Sequence, residues 1–231
     1  MKSNEIIVYW SFGGKYQIKA ENPVPIIQNY LKDKSTEDYD YIRCPSFHEY
    51  YKNTYGIKSI FDYELTFDGD LASSDMHDQN FYKEFVYIRS YQSKLTSFHM
   101  NYIFIAENKD LKMEYLPSMM ENNSFNNSAK LIPGTMNIGK YVRFIDCAFH
   151  VRDKTVSIKE NDIYAYLKFS TDKKIKFQRF YCTPEIEDTI KGQKILEYRA
   201  KNFKPLNWFY KKQNAIKTKE RAMKLIKENL V

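Results

Sequence analysis

Cysteine is scarce in this chain and poorly placed for cross-linking. Cys44, Cys147 and Cys182 are three in number, widely spaced and without a CxxC pair, which argues against a disulfide framework or a structural zinc site and for reduced, mostly buried thiols. Long apolar runs are missing too. The opening MKSNEIIVYW has one Lys and a very short apolar stretch, too little for a signal peptide. Nothing approaches the roughly 18 apolar residues of a membrane span. These absences predict a protein that works inside a cell. HExxH, HxH, GxSxG, GxGxxG and a Walker-A loop are all absent, so the common metal, nucleophile and phosphate signatures give no foothold.

Aromatic residues are what the chain has instead. They reach 16 %, with 20 Tyr and 16 Phe against seven Gly and seven Pro, and Tyr and Phe suit half-buried sheet faces. At 231 residues the chain can bury a large core without a covalent staple. The charge is unevenly spread. From Lys201 onward nine basic residues face two acids, Glu220 and Glu228, which equals the whole net charge of +7. The first 200 residues balance, so the expectation is a neutral body and a cationic tail.

Periodicity points to strands. Phe61, Tyr63, Leu65 and Phe67 alternate with Asp62, Glu64, Thr66 and Asp68, the pattern of an antiparallel sheet with one solvated face. Further strands are expected at 5–11, 86–91, 97–106, 111–116, 140–147, 155–158, 163–170 and 175–181, with polar turns between. Ser46 and Glu49 form a capping box that predicts a helix over 47–55, closed by Gly56. A short helix is expected at 78–85, and the Asn/Ser-rich 121–130 is expected as a loop. Thr183-Pro184-Glu185 starts a helix to about Lys201. Asn207 caps a last one, with Phe209, Ile216, Met223 and Leu230 seven apart on a narrow stripe.

The fold expectation is therefore mainly β (α+β): an antiparallel β-sandwich or jelly-roll-like body over 1–182, with short inserted helices. Two C-terminal helices follow in 183–231, the basic tail being 201–231. Phe61, Tyr63, Leu65, Phe67, Phe104, Phe149, Leu167, Phe169 and Phe177 are expected in the core.

Candidate sites are few. The tail offers Trp208, Phe209, Tyr210, Lys211, Lys212, Lys219, Arg221 and Lys224 as a partner-binding set, because clustered cations attract acidic surfaces and the three aromatics could stack. The competing reading packs the apolar stripe on the body and leaves the lysines in water. Asp75, His77 and His150 are the nearest thing to a two-His-one-carboxylate metal site for Fe(II) or another divalent ion. Cys44 lies near His48, but a catalytic pair needs an orienting third group. His99 reads as a hydrogen-bonded strand residue.

Four stretches, NTYGIKSIFDYE (53–64), SSDMHDQNFY (73–82), IPGTMNIGKYVRFIDCAFH (132–150) and YLKFSTDKKIKF (166–177), resemble an uncharacterised protein family of T4-like tailed phages of marine bacteria. That family has no known activity, so the resemblance implies a source and no site. IKENDIYAYLKF (158–169) is similar to one hairpin of the dUTPase family, whose nucleotide motifs are missing here, so it speaks to architecture alone. The function expected from all this is a non-enzymatic phage protein without a cofactor, located in the host cytoplasm or the virion and binding a protein partner (itself, a virion component or a host protein). The alternatives are a metal-dependent β-barrel enzyme of the cupin or dioxygenase kind and nucleic-acid binding through the tail.

Overall fold

From Val8 onward the apolar run at the start of the chain is buried on both of its faces, while Ile7 is exposed. In the computed structural model, which describes residues 4–14, 16–32, 43–68, 71–73, 76, 85–90, 92–201 and 217–231, this run is strand β1 (Glu5–Phe12). Strand β2 (Val24–Pro25), helix α1 (Ile26–Lys32), helix α2 (Pro45–Tyr50) and strands β3 (Thr54–Lys58), β4 (Tyr63–Asp68) and β5 (Leu71–Ser73) follow. Next come β6 (Val86–Ser90), β7 (Leu95–Phe98), β8 (Tyr102–Ala106), β9 (Lys112–Leu116), helix α3 (Ser124–Ser128), β10 (Ala129–Leu131) and β11 (Gly134–Asn137). Strands β12 (Cys147–Val151), β13 (Thr155–Ile158), β14 (Ile163–Phe169) and β15 (Lys174–Arg179) lead to helices α4 (Pro184–Lys201) and α5 (Thr218–Glu228). The protein is mainly β, a sandwich-like α+β fold, as the alternating pattern predicts.

The strands form four small sheets, ordered β15-β1-β8, β10-β12-β7-β6, β11-β9-β14-β3-β2 and β13-β4-β5. Among the described residues every ladder is antiparallel except β1 with β15, which run parallel from Glu5↔Lys174 to Trp10↔Arg179. The sheet β15-β1-β8 is the wall between two cores. Its inner face sends Val8, Trp10, Phe12, Tyr102 and Phe104 into the main core. Its outer face sends Tyr9, Ile103 and Ile105 under the C-terminal helices, where they meet Ile186, Ile190, Met223 and Ile226. A strand buried on both sides reads as a continuous apolar run rather than an alternating one, which explains VYW in β1 and YIFIA in β8.

The sandwich core is aromatic. Phe98, Phe125 and Phe149 pack edge to face, with centroids 5.1–5.4 Å apart, a geometry the ring quadrupoles favour. Of the nine residues expected in the core, Phe61, Tyr63, Leu65, Phe104, Phe149, Leu167 and Phe169 are buried, and Phe67 and Phe177 pack against it half-buried. Helix α1 is tied down by hydroxyls: Tyr30 donates to Glu121 Oε1 at 2.6 Å, and Tyr166 donates to the same oxygen at 3.0 Å. Cys147 and Cys182 are buried free thiols, pushed up to about 12 by that burial. Cys44 is a free thiol on the surface.

Several local expectations are corrected. The helix over 47–55 ends at Tyr50, because Asn53 turns the chain with φ 52 and its side chain donates to the carbonyls of Thr171 and Lys173. Gly56 is no cap. It sits in β3, where an added Cβ would come within 2.9 Å of Ile163. The strand over 97–106 breaks in two at Asn101 (φ 46), since β7 and β8 serve different sheets. Residues 140–147 bridge to β8 only at Phe144, and the strand comes later, at β12. The 121–130 loop contains α3, capped by the Asn123 side chain on Asn126 N and anchored by buried Phe125. The expected helix at 78–85 lies outside the described residues apart from Phe85. Among the described residues no helix is long and apolar enough to cross a membrane.

Candidate functional site

The last helix is folded back on the body. Thr183 Oγ1 accepts from Ile186 N at 3.3 Å, capping α4 as its sequence requires. Helix α5 then lies over the outer face of β1 and β8, with Ala222, Met223 and Ile226 buried. The chain end continues the contact: Tyr181 N donates to Asn229 O at 2.8 Å, and Val231 N donates to Arg179 O at 3.1 Å. Of the stripe expected along the last helix, Met223 packs on the body with its neighbour Ile226, Leu230 is exposed, and Phe209 and Ile216 lie outside the described residues. The physical reason is the second core. Without α5, Ile103, Ile105 and Phe180 would face water.

Three of the eight partner-binding candidates fall within the described residues. Lys219 Nζ donates to the Gly139 carbonyl. Arg221 Nη2 lies 3.4 Å from Glu185 Oε1 on α4. Lys224 is exposed. Trp208, Phe209, Tyr210, Lys211 and Lys212 lie outside the described residues, and so does Asn207.

Between α5 and two body turns lies a cleft of 440 Å³. Lys219 and Lys227 reach it from the helix, and Lys109, Lys140 and Glu107 reach it from the body. Lys227 Nζ pairs with Glu107 Oε1 at 2.6 Å, and the Tyr9 hydroxyl donates to the same oxygen at 3.2 Å. The hydrogen bond from Lys227 holds Glu107 below the usual carboxylate range. Lys219 is shifted the other way for a lysine: desolvation, aided by the nearby Lys109 charge, lowers its pKa against the pull of Glu220 and Glu107. Lys109 and Lys140 are exposed at the rim. The arrangement concentrates positive charge where tail and body meet, which a count of tail residues could not reveal.

A second polar centre lies on the outer face of the β6-β7-β12 sheet. Asp146, just before β12, has a side chain only 20 % exposed. Its Oδ2 pairs with Arg89 Nη2 at 2.9 Å, and its Oδ1 lies 3.4 Å from His99 Nδ1. Arg89 Nε also donates to Ser97 Oγ. Arg89 is the extra residue of a β-bulge, since Ile88 pairs with Thr96 and Ser90 with Leu95, and bulges re-aim side chains in this way. Burial alone would raise the Asp146 pKa. The charges of His99, Arg89 and Arg143 and the Ser97 hydroxyl outweigh it and hold the carboxyl below its ordinary 3.8. Sequence reasoning expected His99 as a hydrogen-bonded strand residue, whereas it follows the end of β7 at Phe98; the rest was missed because nothing local joins Arg89 to a carboxylate 57 positions away.

Replacing Asp146 with Asn should cost about 2 kcal/mol at neutral pH, less than for a fully buried pair because Arg89 is partly solvated. The folded pKa is depressed, so this stability is fully present above the unfolded value near 3.8 and is lost as pH falls through the folded value. Urea midpoints of the two proteins, measured from neutral pH downward, should therefore converge in acid. A gap that stays constant would show that the charge of Asp146 is irrelevant.

Of the three residues in the metal expectation, one falls within the described residues. His150 is exposed on β12, opposite Lys130 and Leu95, while Asp75 and His77 lie outside the described residues. Among the described residues no group of three His, Cys, Asp or Glu side chains gathers in metal-binding range. Cys44 stands before α2, where the amides of Phe47 and Ser46 pull its thiol pKa down. In comparisons with known proteins, no family model, no curated protein and no solved structure matches this chain.

Proposed function

We propose that this chain is a non-enzymatic binding protein of a tailed phage, acting in the virion or the infected cell, and that it captures an acidic protein surface through the cationic seam between α5 and the body. The observation that carries this reading is the convergence of Lys219 and Lys227 with Lys109 and Lys140 around one cleft of 440 Å³. Four cations against Glu107 and Glu220 leave a positive excess, and an acidic chain laid in the cleft restores neutrality. Lysines suit this task because each ammonium is a mobile point charge that adapts to carboxylates in no fixed array. The phage source rests on the resemblance in sequence.

Poly-L-glutamate labelled for fluorescence anisotropy is the probe. The Lys109→Ala, Lys140→Ala double variant should bind about tenfold more weakly, roughly 1.4 kcal/mol. Lys224→Ala removes an exposed charge from the same helix without touching the cleft lining, so its affinity should stay within about twofold, the range of a screened surface charge. Equal losses in both variants would reduce the effect to net charge and end the proposal. A single-stranded DNA oligonucleotide held more tightly than poly-L-glutamate, with a steep salt dependence, would transfer the seam to nucleic acid.

A further inference from the structure

We propose a second binding site, independent of the seam: the cleft over Asp146 takes a neutral, hydroxyl-rich ligand of about the size of one sugar ring. The cleft has a volume of 330 Å³ and lies between β11, the end of β9 and the outer face of β12. That is the small end of the range for ligand pockets, roughly 300–1,000 Å³. Arg89, Arg143, Asp146, Asn137, Tyr115 and Tyr141 are the lining side chains that matter.

The chemistry of the lining selects the ligand class. Asp146 Oδ1 is enclosed beside His99, so the exposed share of the carboxylate falls to Oδ2 and the atoms beside it. Oδ2 already accepts from Arg89 and the Ser97 hydroxyl also bonds this carboxylate; with about four lone-pair sites on its two oxygens, the group keeps room for a further donor. The Arg89 guanidinium has five N–H donors, and its bonds to Ser97 and Asp146 use two of them. An ionised acceptor therefore sits next to a fixed donor, and both are held by the bulge and by the pair itself.

Two adjacent hydroxyls complement this arrangement, one donating to Asp146 and its neighbour accepting from Arg89. Both bonds are charge-assisted and so stronger than neutral ones. A carboxylate or a fully ionised phosphate ester would accept from Arg89 and Arg143 but would meet the Asp146 charge with no proton to offer. A cation would meet two guanidiniums. A neutral polyol opposes neither charge and uses both. The Tyr115 ring, which lies over Gly134 with its Cδ2 3.7 Å from where a Cβ would stand, adds an aromatic wall of the kind that covers the C–H face of a sugar.

Amide chemical-shift titration of the full chain tests this with a panel of neutral hexoses and N-acetylhexosamines at tens of millimolar. At least one sugar should shift the Thr135, Asn137 and Ala148 amides saturably. Arg89→Gln should weaken that binding at least tenfold while keeping the wild-type spectrum elsewhere. Arg143→Gln, which leaves the Asp146 pair intact, serves as the second variant and should weaken it several-fold. No saturable shift with any sugar overturns the proposal. So do shifts that the two variants leave unchanged, and so does saturation by inorganic phosphate where the sugars fail, which would make the cleft an anion site.

Discussion

Ile226→Asp should unfold the protein over most of its working temperature range. Ile226 is fully buried in the second core, together with Ile103, Ile105, Phe180 and Ile190. Truncation to Ala would lose about 2–4 kcal/mol through lost burial and the cavity left behind. A carboxylate there adds several kcal/mol more for an unpaired buried charge. For a domain of this size each kcal/mol lowers Tm by about 2–4 °C, so the Ala variant should melt about 4–16 °C lower and the Asp variant should lack a native transition. Thermal and urea denaturation read both. An Asp variant with the wild-type Tm would mean that α5 is not seated on β1 and β8. The same reasoning applies to deletion of residues 202–231: it should expose the outer face of that sheet and destabilise the body rather than trim an inert arm.

Gly139→Ala should come next, and it links stability to the seam. The missing side chain matters here for space. A Cβ at Gly139 would lie 1.9 Å from the Asn108 carbonyl oxygen and 2.7 Å from the Lys109 carbonyl carbon. Both are backbone atoms, so no rotamer change relieves the clash and one of the two turns must move. Overpacking that shifts backbone costs about 1–3 kcal/mol and occasionally more. Gly139 N donates to Leu111 O at 3.3 Å, and its carbonyl accepts from Lys219, so the movement also separates Lys109 and Lys140 from the helix. The variant should melt lower and hold poly-L-glutamate more weakly. Full affinity in a destabilised variant would detach the seam from partner capture.

The structure also gives the charge pattern a different meaning. Nine cations against two acids at the C-terminal end describe a composition, not a position. Lys227 is answered by Glu107, and Arg221 by Glu185. Lys219 is desolvated against the Gly139 turn. Part of the apparent surplus thus serves to dock the helix, and two of these docking residues, Lys219 and Lys227, line one cleft with Lys109 and Lys140 of the body.

Elements with a local cause were legible in the residues alone. The alternation Tyr63, Leu65 against Asp62, Glu64 places one face of β4 inside, and that face is buried. Thr183 before Pro184 starts α4, where hydroxyl cap and ring both act within one turn. The strands β13, β14 and β15 emerged near their expected bounds, because polar turns of three or four residues leave the chain little alternative. The excess of Tyr and Phe announced an aromatic sandwich, since such side chains stabilise sheets wherever they are paired.

Pairings between distant segments were beyond that reading. Residue types and spacing say nothing of β15 lying parallel beside β1, of the break at Asn101 that sends β7 and β8 to different sheets, or of Arg89 reaching Asp146. Such contacts are chosen by the total burial and hydrogen bonding of the folded chain, to which each segment contributes too little to declare its partner. The cationic end shows the division most plainly: its charge and apolar stripe are properties of a short stretch of residues, whereas its seat on the sheet, and the cleft that seat creates, exist once β1 and β8 have come together to receive it.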